Sequence, residues 1–497
     1  MSGVELGLAV LSTADLCLKY GTLLLEKYRT FKGAESEIDD KILSIELFQV
    51  KTECQMDFLK SIWHTLPSKY QDCLGLIYPK LQGKLQIAVQ AVEKILKKHA
   101  PDKDSLSWSK RLLYTMRLKE TIERTIEDVN EWQRIFEPTW FLVLRVSDSA
   151  VRTELHRNAQ SSSALTPSYH LRNSLENKVN EDMGISLSAK ALQGAQYSKI
   201  TFSDASVVII PGKRPILIDP AECQTSNVSA FTKDVRYLAQ RLRNADPLVF
   251  RILNCAGVIY AKDTPQHVSR FDFVFQIPKG MGRPQSLRQL LITGRQTYPL
   301  SDRVRIANQL AKSVSFVHMY SFVHKNIRPE TIMILEDGES ELGSLFLTGF
   351  KIFRMVGEQS GRLGDSDWAK NIYRHPQRQG LYPEENYRML HDIYSLGVCL
   401  LEIGLWESLV QYESSSDHAE MYPNEVFQAS GANAPKVDAS KALFEDLAKN
   451  VLPAKMGKLY AQVVLTCLTY YDEEQDAILE GVTYIERILM RLGEISV

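Results

Sequence analysis

FVHKNIRPETIMIL, residues 322–335, lies at the centre of a series of motifs whose order decides the fold of the C-terminal part of this chain. VHMYSF (317–322) leads into it, and LTGFK (347–351), YRHPQ (373–377) and HDIYSLGVCLLEI (391–403) follow. Upstream, SVVII (206–210), PILI (215–218) and FDFVFQI (271–277) are short, β-branched or aromatic, and bounded by turn residues such as Pro211-Gly212, so they read as strands. From Ser286 onward helical patterning dominates. A strand-rich lobe followed by a helix-rich lobe is a two-lobed α+β layout.

The first of these motifs resembles the catalytic loop of protein kinases, H-R-D-L-K-P-E-N. LTGFK stands where D-F-G is expected, YRHPQ at the A-P-E position, and HDIYSLGVCLLEI at the Asp-x-Tyr-Ser-x-Gly helix of the C-lobe. One chance match is plausible; all four in order are not. The resemblance covers 197–497 and implies a protein-kinase-like fold in which His324, Phe350 and Asp392, the structural core positions, hold the lobes and catalytic loop together through packing and backbone hydrogen bonds.

The chemistry expected of such a fold is missing. Phosphoryl transfer needs a carboxylate to orient the acceptor hydroxyl and hard oxygen ligands for magnesium. Asn326 replaces the catalytic aspartate, and a neutral amide is no base near neutral pH. Thr331 replaces the loop asparagine, and Gly349, at the D-F-G aspartate position, has no side-chain oxygen. No G-x-G-x-x-G occurs between Lys190 and Lys213. The strand that should carry the ATP-pairing lysine reads RPILIDP, placing Ile218 or Asp219 there, and Asp234 stands for the partner glutamate. Two facing carboxylates repel phosphate. The cations Lys325 and Arg328 read as surface or internal pairing residues, with metal-free nucleotide binding as the alternative. Gln377 replaces the A-P-E glutamate, and DEEQD after Tyr471 lacks its arginine partner. The expectation is a pseudokinase with no magnesium site, weak or absent ATP binding and no other cofactor. Ser360, Ser366 and Tyr373 are candidate phosphorylation sites on the activation segment.

Residues 1–145 read differently. Ile122, Ile126, Val129, Trp132 and Phe136 recur by three or four positions, as do Leu81, Leu85, Ala88, Val92 and Ile95. Ile42, Ile45, Phe48 and Val50 begin a less regular stripe that continues through Met56, Leu59 and Trp63, and a first helix runs from about Val4 to Tyr28. Four long amphipathic segments predict an up-and-down bundle. Residues 146–196, polar and containing SSSALTPS (161–168), read as a linker or a helical brace.

MSGVELGLAVLSTADLCLKYG, IDDKILSIELFQVKTECQMDFLKSIW and WQRIFEPTWFLV together resemble the HeLo or HeLo-like domain of the fungal prion-inhibition and propagation family. That resemblance implies a cytosolic bundle that relocates to membranes and permeabilises them in programmed cell death. Bundle, brace and dead kinase in that order are also similar in architecture to the animal mixed-lineage kinase domain-like necroptosis executor. Val4, Leu6, Leu8, Val10 and Leu11 are candidate membrane contacts, although Glu5 opposes deep insertion and a bundle core is the plainer reading. Lys94, Lys97, Lys98, Lys110 and Arg111 belong to a basic stretch, Lys80–Lys119, that faces anionic lipid on one reading and water on the other.

The whole chain balances 59 basic against 60 acidic side chains in 497 residues, which gives no global reason to bind nucleic acid. The seven cysteines show no C-x-x-C pair, and buried thiols in a reducing compartment fit them better than disulfides or zinc. With no uninterrupted run of apolar residues long enough to span a bilayer, cytoplasmic residence is expected, with relocation to a membrane on activation. The combined expectation is a pseudokinase-regulated effector of cell death or defence, released by an upstream signalling protein and acting by self-oligomerisation on an anionic membrane. A non-lytic scaffold or nucleotide-binding pseudokinase is the alternative, and an atypical active Ser/Thr kinase the third.

Overall fold

A computed structural model of the protein describes residues 3–32, 36–99, 108–144, 149–161, 165, 168–169, 172, 184–222, 228–243, 245–264, 267–293, 298–320, 322–338, 340–350, 354–355, 364–413, 420–428, 437–470 and 484–495. It divides into two compact units, Met1–Arg172 and Asn173–Val497.

The first unit is helical: α1 (Gly3–Arg29), α2 (Ser36–Ile62), α3 (Ser68–His99), α4 (Trp108–Val143) and α5 (Ser149–Ser161). Direction alternates along the chain. Arg29 pairs with Glu46 and Asp15 with Lys60, which sets α1 and α2 antiparallel. Cys73 meets Thr139 and Lys84 pairs with Asp128, which does the same for α3 and α4. Aromatic side chains at helical spacing on α4 fill the centre: Trp132 stacks on Phe136 at 4.6 Å, and Trp140 meets Phe58 edge to face at 5.3 Å. Each fully buried Phe of this kind contributes about 1.5–3 kcal/mol. The indole N–H groups are satisfied, Trp132 donating to the Ile77 carbonyl and Trp140 to the Ser168 hydroxyl.

Helix α2 departs from its expected stripe. Ile42, Ile45, Met56, Leu59 and Trp63 are buried, but Phe48 is half-buried and Val50 is exposed. In the middle of the helix the inward positions belong to Gln49, Thr52 and Gln55, while Leu43, Leu47 and Val50 face outward. The irregularity in the sequence is therefore a real reversal of polarity. Helix α5 lies within the stretch read as a linker or brace, because Val151 and Leu155, one helical turn apart, are fully buried.

The second unit is α+β and kinase-like. Its mixed sheet contains β1 (Ser186–Leu187), β2 (Gln196–Lys199), β3 (Ser206–Ile209), β4 (Ile216–Glu222), β5 (Asn254–Thr264) and β6 (His267–Gln276), with helix α6 (Val228–Arg243) inserted between β4 and β5. The spatial order is β1-β5-β6-β4-β3-β2, with β1 and β5 parallel and every other pair antiparallel. Asp219 on β4 is paired in register with Phe273 on β6, so it lies mid-strand.

The helical lobe follows: β7 (Gly282–Ser286), α7 (Leu287–Thr293), α8 (Leu300–Met319), β8 (Phe322–Val323), β9 (Ile332–Glu336), β10 (Ser344–Leu347), β11 (Arg354–Met355), α9 (Met389–Leu405), α10 (Val437–Asn450) and α11 (Lys458–Thr469). Strands β9 and β10 pair with β7 in a three-stranded sheet, and β11 pairs with β8. Helix α9 is buried from Leu390 to Leu405, which explains why apolar residues of HDIYSLGVCLLEI recur on all its faces and why its polar ones, among them Asp392 and Glu402, are engaged inside. Gly397 lets α11 approach it; a Cβ there would stand 2.7 Å from that of Cys467. The C-terminal segment lies against α8, Tyr484 donating to the Ala311 carbonyl and Asn308 to that of Leu492. Residues 429–436 and the DEEQD segment lie outside the described residues.

Candidate functional site

The loop between β8 and β9 carries His324, Asn326, Arg328 and Thr331, and Asp392 anchors it from the first turn of α9. The Asp392 carboxylate is fully buried and accepts from the backbone N–H of His324 at 2.7 Å and of Lys325 at 2.9 Å. The Tyr387 hydroxyl donates to it at 2.8 Å and His318 Nε2 at 3.0 Å. Burial alone would push this carboxyl up, but the His318 hydrogen bond and the surrounding donors outweigh it and hold it low. Lys325 takes a left-handed backbone, φ +63°, to turn its N–H inward. His324 Nε2 donates to the Thr348 carbonyl at 3.0 Å, and its ring lies 4.8 Å from Phe350. Complete burial depresses its pKa to about 4, so it packs as a neutral ring.

The residues expected at the degenerate positions are equally engaged. Asn326 donates from Nδ2 to the Gly349 carbonyl at 3.1 Å and accepts from Arg328 Nε at 2.9 Å. The Thr331 hydroxyl donates to the Asn326 carbonyl at 2.7 Å. Gly349 has φ +85°, and a Cβ there would lie 2.3 Å from Thr331 Cγ2. Of the two residues expected at the lysine position, Asp219 reaches the cleft. It is 2% exposed, and its Oδ2 accepts from the N–H of Gly349 at 2.7 Å and of Phe350 at 3.2 Å. Asp234 is half-buried on α6, and Lys213 is exposed in the turn before β4. Where a magnesium site would gather oxygen ligands, this backbone presents two N–H donors to one carboxylate, a polarity that suits an anion.

A second buried network was not anticipated. Arg288, at the start of α7, is fully buried; its Nε lies 3.1 Å from Glu330 and its Nη1 3.1 Å from Glu402, and it also donates to the Ser408 and Tyr373 hydroxyls. Glu402 additionally accepts from the Leu409 N–H and the Tyr373 hydroxyl, both at 2.8 Å. Burial raises Glu402 to about 7 despite Arg288, while Glu330 is held low because Arg288 and Arg328 outweigh its burial. Tyr373, a candidate modification site, is only 2% exposed and locked in this network, so it is no accessible acceptor in this state. Ser366 is exposed, and Ser360 lies outside the described residues. Gln377 is half-buried.

Of the candidate membrane contacts in the helical unit, Leu8 is 65% exposed, Leu11 half-buried and Val10 buried against the bundle. Lys94 and Lys97 are exposed. The side chains of Val4, Leu6, Lys98, Lys110 and Arg111 lie outside the described residues. The basic stretch is partly neutralised by other helices: Lys84 meets Asp128 and Glu131, and Lys119 meets Glu37.

No protein-family model matches this chain. It is 30% identical over 95 residues to the mitosis inhibitor protein kinase mik1 of Schizosaccharomyces pombe, covering 19% of this chain and 14% of that protein. To a serine/threonine-protein kinase-like protein of Arabidopsis thaliana it is 33% identical over 124 residues, 24% of this chain and 33% of the relative. To a MAP kinase kinase of Saccharomyces cerevisiae it is 27% identical over 107 residues, 21% of this chain and 19% of the relative. The chain thus spans a third or less of the length of these relatives. A chain in the structure of the CAK complex of Chaetomium thermophilum bound to ATP-gamma-S is similar at 15% identity and TM-score 0.38, over 61% of this chain and 92% of that one.

Proposed function

We propose that this protein is a non-catalytic, kinase-like effector: its α+β unit is a pseudokinase that serves as a regulatory module, and its helical unit is the element that acts. The observation that carries the first half is the Asp219 carboxylate on the backbone N–H groups of Gly349 and Phe350. A group of this charge opposes the β- and γ-phosphates, and neither Asn326 nor Gly349 supplies a base or a hard ligand for magnesium. Asn326 is tied to Gly349 and Arg328, so its amide is committed to structure. The residues therefore do not fit a magnesium–nucleotide complex.

For the helical unit we propose membrane action on release, in programmed cell death or defence, from a cytoplasmic resting state. Supporting it, Gly7–Arg29 of α1 is long and apolar enough to cross a bilayer, with mean hydropathy 1.4 and only 33% of its apolar window buried. The exposed Leu8, Lys94 and Lys97 suit an anionic surface, with self-association and an upstream signalling partner completing the scheme. A scaffold without membrane activity is the second reading. It is favoured by how firmly α1 is held, Lys27 pairing with Glu93 and the Cys17 thiol donating to the Tyr78 carbonyl. Dye release from anionic liposomes by residues 1–172 against the full chain decides between them. Release by the helical unit, restrained in the full chain, supports the effector; no release by a folded helical unit leaves the scaffold. Transfer of labelled γ-phosphate by the full chain, abolished on changing Asn326, defeats the pseudokinase reading.

A further inference from the structure

We infer that the Gly349–Phe350 backbone is an anion-binding nest which Asp219 fills as a clasp between the two lobes, so that withdrawing this carboxylate opens a metal-free site for a phosphate- or carboxylate-bearing ligand. The inference rests on the pseudokinase reading of the cleft and goes beyond it, from what the site lacks to what it holds.

Three observations carry it. First, consecutive N–H groups converge on one oxygen, at 2.7 and 3.2 Å, the first of them from a left-handed residue, Gly349 at φ +85°. Successive N–H groups turned to one side form a concavity with net positive potential. Second, Gly349 is required by this turn twice over: its φ disfavours a side chain, and a Cβ would strike Thr331 Cγ2 at 2.3 Å and approach Asn326 Nδ2 at 3.2 Å. Loss of the aspartate at 349 thus belongs to the geometry that makes the nest. Third, the acceptor is delivered from the opposite lobe. Asp219 stands on β4, held by register to β6 at Phe273, whereas residues 349–350 follow β10 of the helical lobe. A buried carboxylate tied to both lobes resists their separation, and leaving the N–H pair unmatched is costly.

The polarity of the cleft is inverted as a result. A magnesium site binds cations through converging oxygens, while this one binds an anion through converging N–H groups and supplies that anion from its own chain. Arg328, on the neighbouring β8–β9 loop and paired with Glu330, reaches the nest only through Asn326, which donates to the Gly349 carbonyl. A mobile anion entering the cleft therefore competes with Asp219, and an occupied nest corresponds to lobes no longer joined by it.

The test uses the full chain with Asp219→Ala and Asp219→Asn, thermal melting as the readout, EDTA throughout, and inorganic phosphate, acetate and ATP as probes. Asp219→Ala should lower the melting midpoint by several degrees, and acetate, phosphate or ATP should restore part of that loss while leaving the wild type unchanged. Asp219→Asn, which keeps an acceptor oxygen without its charge, should fall between. Recovery by phosphate and acetate as well as ATP identifies an anion site; recovery by ATP alone identifies a nucleotide site and overturns the nest. Equal melting of the wild type and both variants overturns the clasp. Loss of melting in Asp219→Ala that none of the three anions restores overturns the nest, and if Asp219→Ala does not fold, a melting midpoint of Asp219→Asn equal to the wild type's overturns the clasp. Phosphoryl transfer by the wild type would defeat the pseudokinase reading separately, because it is scored with magnesium present.

Discussion

Asp392 and Asp219 are the same device in two regions of one unit. Each is a buried carboxylate that captures the N–H groups of two consecutive residues, His324 and Lys325 for the first, Gly349 and Phe350 for the second. They differ in what they join. Asp392 stands on a fully buried helix and receives further donors from Tyr387 and His318, all within the helical lobe. Asp219 reaches across from the sheet. The first fixes a loop inside one lobe, whereas the second joins the sheet to the helical lobe. On the proposed pseudokinase reading, the scaffold carboxylate keeps its role while the cleft carboxylate takes a structural one.

The largest effect is expected on breaking the scaffold member. Asp392→Ala strands two buried backbone N–H groups, the Tyr387 hydroxyl and His318 together, and should lower the unfolding free energy of the α+β unit by about 3–5 kcal/mol. Urea denaturation of the full chain measures it. A loss no greater than that of Asp219→Ala would mean that the two carboxylates are equivalent and the distinction drawn here is wrong.

Next comes an attempt to reverse the cleft. Gly349→Asp should cost about 2–4 kcal/mol, since it combines a side chain at φ +85°, a clash with Thr331 and a second carboxylate beside Asp219. Combined with Asn326→Asp it should still transfer no labelled γ-phosphate. Activity in the double variant would show that the chemistry was lost by two letters alone, with no accompanying change in backbone.

How far such features can be read without coordinates follows from the same residues. The two-lobed architecture was legible because its motifs are local and ordered, and Asp219 could be assigned to the cleft within one position. Its hydrogen-bond partners could not, because a backbone N–H has no letter of its own. The Arg288 network was hidden for another reason: its members lie 42 and 114 positions apart, at Glu330 and Glu402, and no spacing rule joins them. In the helical unit, tallying charges along Lys80–Lys119 overstated the free positive surface, since Asp128, Glu131 and Glu37 come from outside that stretch. The polar interior of α2 was visible only as a weakened period.

The smallest expected effect is a change in pH dependence, and its sign separates the buried groups. His324, depressed to about 4, and His391, depressed to about 3 by burial, are bound by protons more readily in the unfolded chain; their contribution is lost as pH falls below about 6.5. Glu402, raised to about 7 by burial, has the opposite sign: its contribution is complete below about 4.5 and lost as pH rises through 7. Over the shared range the two trends oppose each other, which flattens the profile. Glu402→Gln keeps an oxygen for Arg288, Tyr373 and the Leu409 N–H but cannot ionise. Removing this one titration should abolish the decline from pH 6.5 to 8 and steepen the loss from 6.5 to 5, by at most about 1.4 kcal/mol per pH unit. Melting across that range measures the slope. Because Asp219 and Asp392 are unchanged in this variant, an altered slope in the predicted direction assigns the alkaline loss to the Arg288 network, and an unaltered one rules Glu402 out as its source.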